Sequence, residues 1–240
     1  MTDTNLQIKP LPFGQACLLF GIPAIGLVGV HYVLYPFLKS IGISSNIAFA
    51  IQNLVFMGSL IIAAYIGIAR EGNAVSWAVI FSRWRIKPMT GQDGNWMTVG
   101  LIVTFLLQVG VSVLFNPLID QFMANMGWIK SSNTGYDLDR TSILSISLLT
   151  ISLIFNILGE ELWWRGYILP RQELQHGQWA WLVHGTMWAL FHISRPWEIP
   201  GKLIVAQVIP FIVQRRKNTS ISLLMHMLMN VFNIIFNFTG

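Results

Sequence analysis

The amino-acid sequence predicts an all-α fold, a polytopic transmembrane helical bundle of about seven spans with no soluble domain. Two observations carry this expectation. Hydrophobic residues make up 54% of the 240-residue chain and charged residues only 10%, too few to coat a soluble domain of this size. The charges that exist bracket long uncharged runs, as from Lys39 to Arg70, Asp93 to Asp120, Arg140 to Glu160 and Glu173 to Arg195. Such runs have the length that a hydrocarbon layer of about 30 Å demands of a spanning helix.

Taken in order, the expected segments cover residues 11–38, 47–69, 96–115, 142–169, 178–194, 201–214 and 219–238. The first follows a short leader, Met1 to Pro10, without a small-residue cleavage site, and reads as a retained helix. The sixth, 201–214, spans only if Lys202 and Arg215 snorkel from its ends. Between the second and third segments, Glu71 to Lys87 mixes Trp77, Phe81 and Trp84 with Arg83 and Arg85. That mixture suits either an interfacial helix, aromatics down and cations toward headgroups, or an ordinary basic loop. Asn116 to Thr141, with Pro117, Gly127 and Gly135, reads as a non-helical loop. No repeat or linker divides the chain, so residues 1–240 are expected to form one integral membrane domain with a motif-bearing core at 143–238.

The net charge of +5 does not point to nucleic acid, because the basic residues sit in short loops at helix ends. With the N-terminus in the cytoplasm, only Lys39, Lys130, Arg140, Arg195 and Lys202 of the 15 Lys and Arg fall outside, leaving ten inside. The positive-inside rule therefore favours a cytoplasmic N-terminus. A single cysteine, Cys17, excludes a disulfide framework and the cysteine zinc patterns, so any metal must use His, Glu, Asp or Asn.

Charged side chains in a membrane helix cost about 2.5 kcal/mol or more each, so those present line cavities or pair. Three clusters stand out. Glu160-Glu161-Leu-Trp-Trp-Arg165 follows the apolar run Ile143 to Leu158. On a helix Glu161 and Arg165 can pair on one face, and Glu160 is turned about 100° away, without that partner. A carboxylate left so at an apolar boundary is where a general base for water would be placed. Trp188-Ala-Leu-Phe-His192 sets an imidazole in the fifth segment, and His226-Met-Leu-Met-Asn230 aims two polar side chains at one face of the last. Singly, each has a structural explanation: a helix end, a satisfied core histidine, a helix–helix hydrogen bond. Jointly, a carboxylate, two imidazoles and a carboxamide suffice to hold and activate a water and to stabilise an oxyanion. His31, His176 and His184 lack companions at useful spacing and are assigned to packing or the interface. Depth along the helices fits less easily for His192, which a fifth helix starting near Gln178 lifts about 21 Å, so that helix must tilt or start deeper.

In this order, Glu160-Glu161…Arg165, Trp188…His192 and His226…Asn230 resemble the motifs of the CPBP family of intramembrane proteases. That family includes CAAX prenyl endopeptidases and the Abi proteins linked to bacteriocin processing and self-immunity. The resemblance covers about Ile143 to Phe238, with Trp188 where the family has Phe. It implies that Glu160 and His192 activate water, that His226 and Asn230 stabilise the oxyanion, and that Glu161 with Arg165 braces the site. It also implies a metalloprotease, with a divalent ion such as zinc on His192 and His226, although the spacing lacks the His-Glu-x-x-His pattern and leaves a metal-free site open. The implied partners are the lipid bilayer and a peptide or protein substrate entering from the membrane or the cytoplasmic face. Small size and the absence of a targeting extension lead us to expect a bacterial plasma membrane. A non-catalytic scaffold or immunity protein of the same fold is the alternative, and a transporter, which would need broken helices or paired repeats, comes third.

Overall fold

The computed structural model describes residues 7–72, 76–125, 139 and 142–239, with side chains described to residue 232. Helices account for almost all of them. We number α1 (Phe13–Ser40), α2 (Ser45–Ala69), α3 (Trp77–Arg83), α4 (Gly91–Asn125), α5 (143–176), α6 (Ala180–Phe191), α7 (Ile199–Val205), α8 (Val208–Arg216) and α9 (Ser220–Thr239). Five apolar runs are long enough to cross a membrane: Phe13–Ser40, Ser45–Ala69, Gly91–Asn125, Ile143–Phe191 and Pro196–Arg216. The fourth run contains two of the expected segments, and α9 adds a shorter one, so the all-α membrane bundle stands.

Three of the long helices widen locally into π-helix, at Val30–Leu34, Val111–Phe115 and Glu161–Ile168. Each widening ends two residues before a proline: Pro36, Pro117 and Pro170. A proline inside a helix has no N–H to donate and its ring collides with the carbonyl four residues back. Here the backbone N–H of Tyr35, Asn116 and Leu169 instead reaches five residues back, to the carbonyls of Val30, Val111 and Trp164. The chain thus passes each proline without breaking. This corrects the loop expected from Asn116: the helix runs through Pro117 to Asn125. Most of the remainder of that expected loop, with Gly127 and Gly135, lies outside the described residues.

The core forms where α2 lies along α5. Asn46 exchanges hydrogen bonds with the backbone of Asp139 at one end, and Gly67 faces Tyr167 at the other, so the two helices run parallel. Glycine makes the approach possible. A Cβ on Gly159 would lie 2.8 Å from the Met57 carbonyl oxygen, and one on Gly67 would lie 2.4 Å from the Tyr167 ring. Around this contact all eight residues Glu161–Ile168 are buried, with Trp164 stacked on Phe20 at 4.4 Å.

One end of the bundle is stitched by ion pairs. Arg83 pairs with Glu71 at 2.6 Å, Arg85 and Lys217 share Glu173, and Arg216 holds Asp93 at 2.7 Å. Arg83 is only 1% exposed and also donates to the Gly166 and Tyr167 carbonyls. Of the two readings of 71–87 the helix is present, with Trp77 and Phe81 exposed, but α3 is only seven residues long and its cation, Arg83, points into the protein rather than outward as expected. Desolvation explains the choice, since a buried guanidinium needs a carboxylate and carbonyl acceptors together.

Because the Met57 backbone cannot yield as a flexible side chain would, Gly159→Ala is expected to push α2 from α5 and cost about 1–3 kcal/mol. Gly58→Ala, whose added Cβ meets nothing within 4 Å, serves as the control and should be neutral or mildly stabilising. Thermal unfolding in detergent would measure both.

Candidate functional site

The three polar clusters meet. Glu160 closes the α-helical part of α5, and Glu161 and Arg165 occupy the π-helix that follows. His192 caps the C-terminus of α6 rather than lying within it. His226 and Asn230 share a face of α9. Glu160, His192, His226 and Asn230 all line one cavity of about 570 Å³. The depth difficulty for His192 resolves because α5 runs on to His176 instead of ending at 169, so that Glu160 lies about 24 Å from that end while the 12-residue α6 lifts His192 by about 18 Å. The first turn of α6 is held by Gln214, whose side chain accepts from the Trp181 N–H and donates to the Gly177 carbonyl. Those two bonds satisfy backbone groups that a helix start would otherwise leave to water.

Glu161 is fully buried and anchors the site. Its Oε1 accepts from Arg165 Nη1 at 3.1 Å and from His226 Nδ1 at 2.9 Å. The expected Glu161–Arg165 pair is therefore present, with His226 joined to it from another helix. Glu160 has different partners. Trp188 Nε1 donates to its Oε2 at 3.0 Å, and Asn156 Nδ2 reaches its Oε1 at 3.4 Å. His192 Nδ1 lies 2.9 Å from the Trp188 carbonyl. A carbonyl only accepts, so Nδ1 carries the proton and Nε2 keeps its lone pair. Asn230 Nδ2 is buried without a hydrogen-bond partner.

Trp188 connects these groups. Besides its bonds to Glu160 and His192, its ring lies 5.1 Å from the Arg165 guanidinium and 5.5 Å from Lys202 Nζ. The sequence shows a tryptophan at this position but not the acceptor of its N–H, and no motif singles out Asn156, one helical turn before Glu160. Arg195 and Lys202 were read as loop charges and His31 as packing. All three line the cavity, the two cations bracketing Glu198 at 3.4 and 3.3 Å. His184 is buried against Gln172 at 2.6 Å, as its assignment to packing requires.

Among the described residues no three His, Cys, Asp or Glu side chains are grouped closely enough to hold a metal ion. His192 and His226 each engage Nδ1, on a backbone carbonyl and a carboxylate, which suits a metal-ligating histidine as well as a metal-free one. Both oxygens of Glu160 receive N–H donors.

Comparison with known proteins gives one match. Residues 142–232 fit the family model described as type II CAAX prenyl endopeptidase, Rce1-like. The fit spans all three motifs and agrees with the family that they resemble. Neither the curated proteins nor the solved structures gave a match.

Removing Arg165 would leave the Glu161 carboxylate buried with His226 and the Ser222 hydroxyl but no fixed charge, so Arg165→Ala is expected to lose about 3 kcal/mol of stability. Glu160→Gln should melt at or above the wild-type temperature, because the carboxamide keeps an acceptor for Trp188 and removes a poorly solvated charge. The reverse order of melting temperatures would mean that the bracing and reacting glutamates are exchanged.

Proposed function

From a membrane chain whose residues 142–232 carry a domain like that of the type II CAAX prenyl endopeptidases, we propose an intramembrane endopeptidase that hydrolyses its substrate with water activated by Glu160 and His192. The observation that carries this reading is the convergence of Glu160, His192, His226 and Asn230 on one cavity. A water between Glu160 and His192 Nε2 gives its proton to the Glu160 carboxylate as its oxygen attacks the scissile carbonyl carbon. The carbonyl becomes an oxyanion that Asn230 Nδ2 and, in its doubly protonated form, His226 Nε2–H receive as donors. When the tetrahedral intermediate collapses, the C–N bond breaks and Glu160 returns the proton to the leaving amine. Glu161 and Arg165 hold His226 in place without touching the reacting atoms.

No step needs a metal. Both oxygens of Glu160 already accept from Asn156 and Trp188, so the reading is a glutamate and histidine site. The cavity follows α5 from Glu160 back to Ile146, about 21 Å at 1.5 Å per residue, between apolar side chains such as Phe49, Phe56 and Leu149. A substrate with a lipid-like tail and a peptide end suits that lining, with Arg195 and Lys202 at hand for a carboxylate. The stitched basic end of the bundle, where Arg171 also bonds the Lys9 carbonyl, supports a cytoplasmic N-terminus on the positive-inside argument.

A farnesylated peptide ending in Cys-aliphatic-aliphatic-X, carrying a fluorophore and quencher, tests the reading with purified protein in detergent. Wild type should cleave it with and without a chelator, and Glu160→Gln should lose at least about 100-fold in kcat. Full turnover by Glu160→Gln would remove the mechanism, and loss of wild-type turnover in chelator would restore the metal.

Trp188→Phe keeps a ring beside Arg165 and Lys202 but deletes the donor to Glu160. A hydrogen bond to a charged group contributes about 1.5 kcal/mol or more, so kcat should fall roughly tenfold with KM little changed. Steady-state kinetics on the same peptide would read the split.

A further inference from the structure

Outside the matched segment, α4 carries Thr104, Gln108, Ser112 and Asn116 at intervals of four residues. Side chains so spaced fall on one face of a helix. The positions between them, including Phe105, Leu106, Val109 and Val113, are apolar and exposed, as a lipid-facing surface would be; within the stripe Thr104 is buried and Asn116 half-buried, while Gln108 and Ser112 are exposed. Polar groups within a membrane helix are costly unless they find partners or water, so a stripe of four on one face calls for an explanation.

All four line a second cavity, of about 400 Å³, between α4 and the helices α7 to α9. Its wall includes Glu161, Arg165, His226 and Asn230, and the last two also line the first cavity. The two spaces therefore meet at the proposed oxyanion groups. Four buried polar atoms without a hydrogen-bond partner belong to residues on this wall: Thr104 Oγ1, Glu161 Oε2, Arg165 Nε and Asn230 Nδ2. Thr104 is only 2% exposed. None of these four atoms opens onto the space itself; the groups that do are the exposed Gln108 and Ser112 with the half-buried Asn116, and a polar, roomy space of this kind is what ordered water fills. At about 30 Å³ per molecule the space holds roughly a dozen waters.

We propose that this second cavity is a hydrated chamber, walled by the α4 stripe, that supplies water to the catalytic groups. Hydrolysis consumes one water for each bond cleaved, and a site enclosed by helices in lipid needs a polar route to replace it. The chamber shares His226 and Asn230 with the first cavity, but Phe49, Phe56 and Leu149 of the apolar lining belong to the first alone, so a substrate tail lying along them would leave the chamber clear. A sealed helix contact is the simpler alternative, in which the stripe hydrogen-bonds its neighbours. Gln108 and Ser112 are exposed rather than packed, which argues against it.

The supply role rests on the proposed hydrolysis; the hydration does not, and the test separates them. In a Cys17→Ala background the chain has no cysteine. Gln108→Cys, Ser112→Cys, Leu106→Cys and Val109→Cys are each introduced and treated with 2-hydroxyethyl methanethiosulfonate, a neutral polar reagent that reacts with thiolate, a species that forms only in water. Cysteines at 108 and 112 should react at least tenfold faster than those at 106 and 109. Equal rates would overturn the chamber. In the second arm, Thr104→Val and the double variant Gln108→Leu/Ser112→Ala act on the farnesylated peptide and should lose tenfold or more in kcat with KM within twofold. Unchanged kcat, or a raised KM alone, would overturn the supply role, the latter by making the stripe a peptide subsite. Fast cysteines in a protein whose wild type cleaves nothing would sink the proposed function and leave the hydrated chamber standing.

Discussion

Everything in the candidate site hangs on a carboxylate that is nowhere in contact with water. Glu161 is fully buried, and a lone charge in that environment would be prohibitive, so the fold must bring Arg165 and His226 to it. Meeting that requirement ties α5 to α9 at one fixed point. His226 then turns its remaining ring nitrogen toward the cavity, Asn230 lies one turn further along the same face, and the space beside them is defined. A buried ion group of this kind adds little net stability compared with a packed apolar core, but it makes every alternative register of α9 expensive. Its value is positional.

A second constraint is the closeness of α5 to its neighbours. The π-helix at Glu161–Ile168 is surrounded on every side, by Trp84 over Gly166, Phe20 on Trp164 and Met57 against the preceding Gly159. Pro170 removes the N–H that would have closed an ordinary turn, and the bond from Leu169 to Trp164 takes its place. The same device at Pro36 and Pro117 keeps two other spanning helices unbroken. In lipid no water is available to satisfy a freed carbonyl, so widening the helix is cheaper than ending it. In α5 the widened turn also holds the Glu161–Arg165 pair that braces the reacting groups.

Trp188 shows how one substitution can join separate motifs. Its side chain donates to Glu160, its carbonyl fixes the tautomer of His192, and its ring lies beside Arg165 and Lys202. The phenylalanine of the family motif could supply the carbonyl and a ring but no donor. In this chain the carboxylate and the imidazole that share the water are therefore held through a single residue.

The sequence by itself determined the membrane bundle, because uncharged runs of spanning length are a property of composition along the chain and need no partner. It also determined the Glu161–Arg165 pair, since neighbours four residues apart on a helix meet whatever surrounds them. The coincidence of three motifs named the residues that share the cavity. Three prolines two residues beyond each π-helix were visible too, though an insertion of one residue per turn cannot be told from an ordinary helix over so short a stretch. Tertiary structure alone decided the rest. Whether Pro117 ends a helix, whether Arg83 faces headgroups or Glu71, and which donor reaches Glu160 all depend on what packs across from them. So does the shared depth of Glu160 and His192, which arises because α5 continues to His176 before the chain turns back into α6. Desolvation costs are settled between segments far apart in sequence, and no local pattern records which segments those will be.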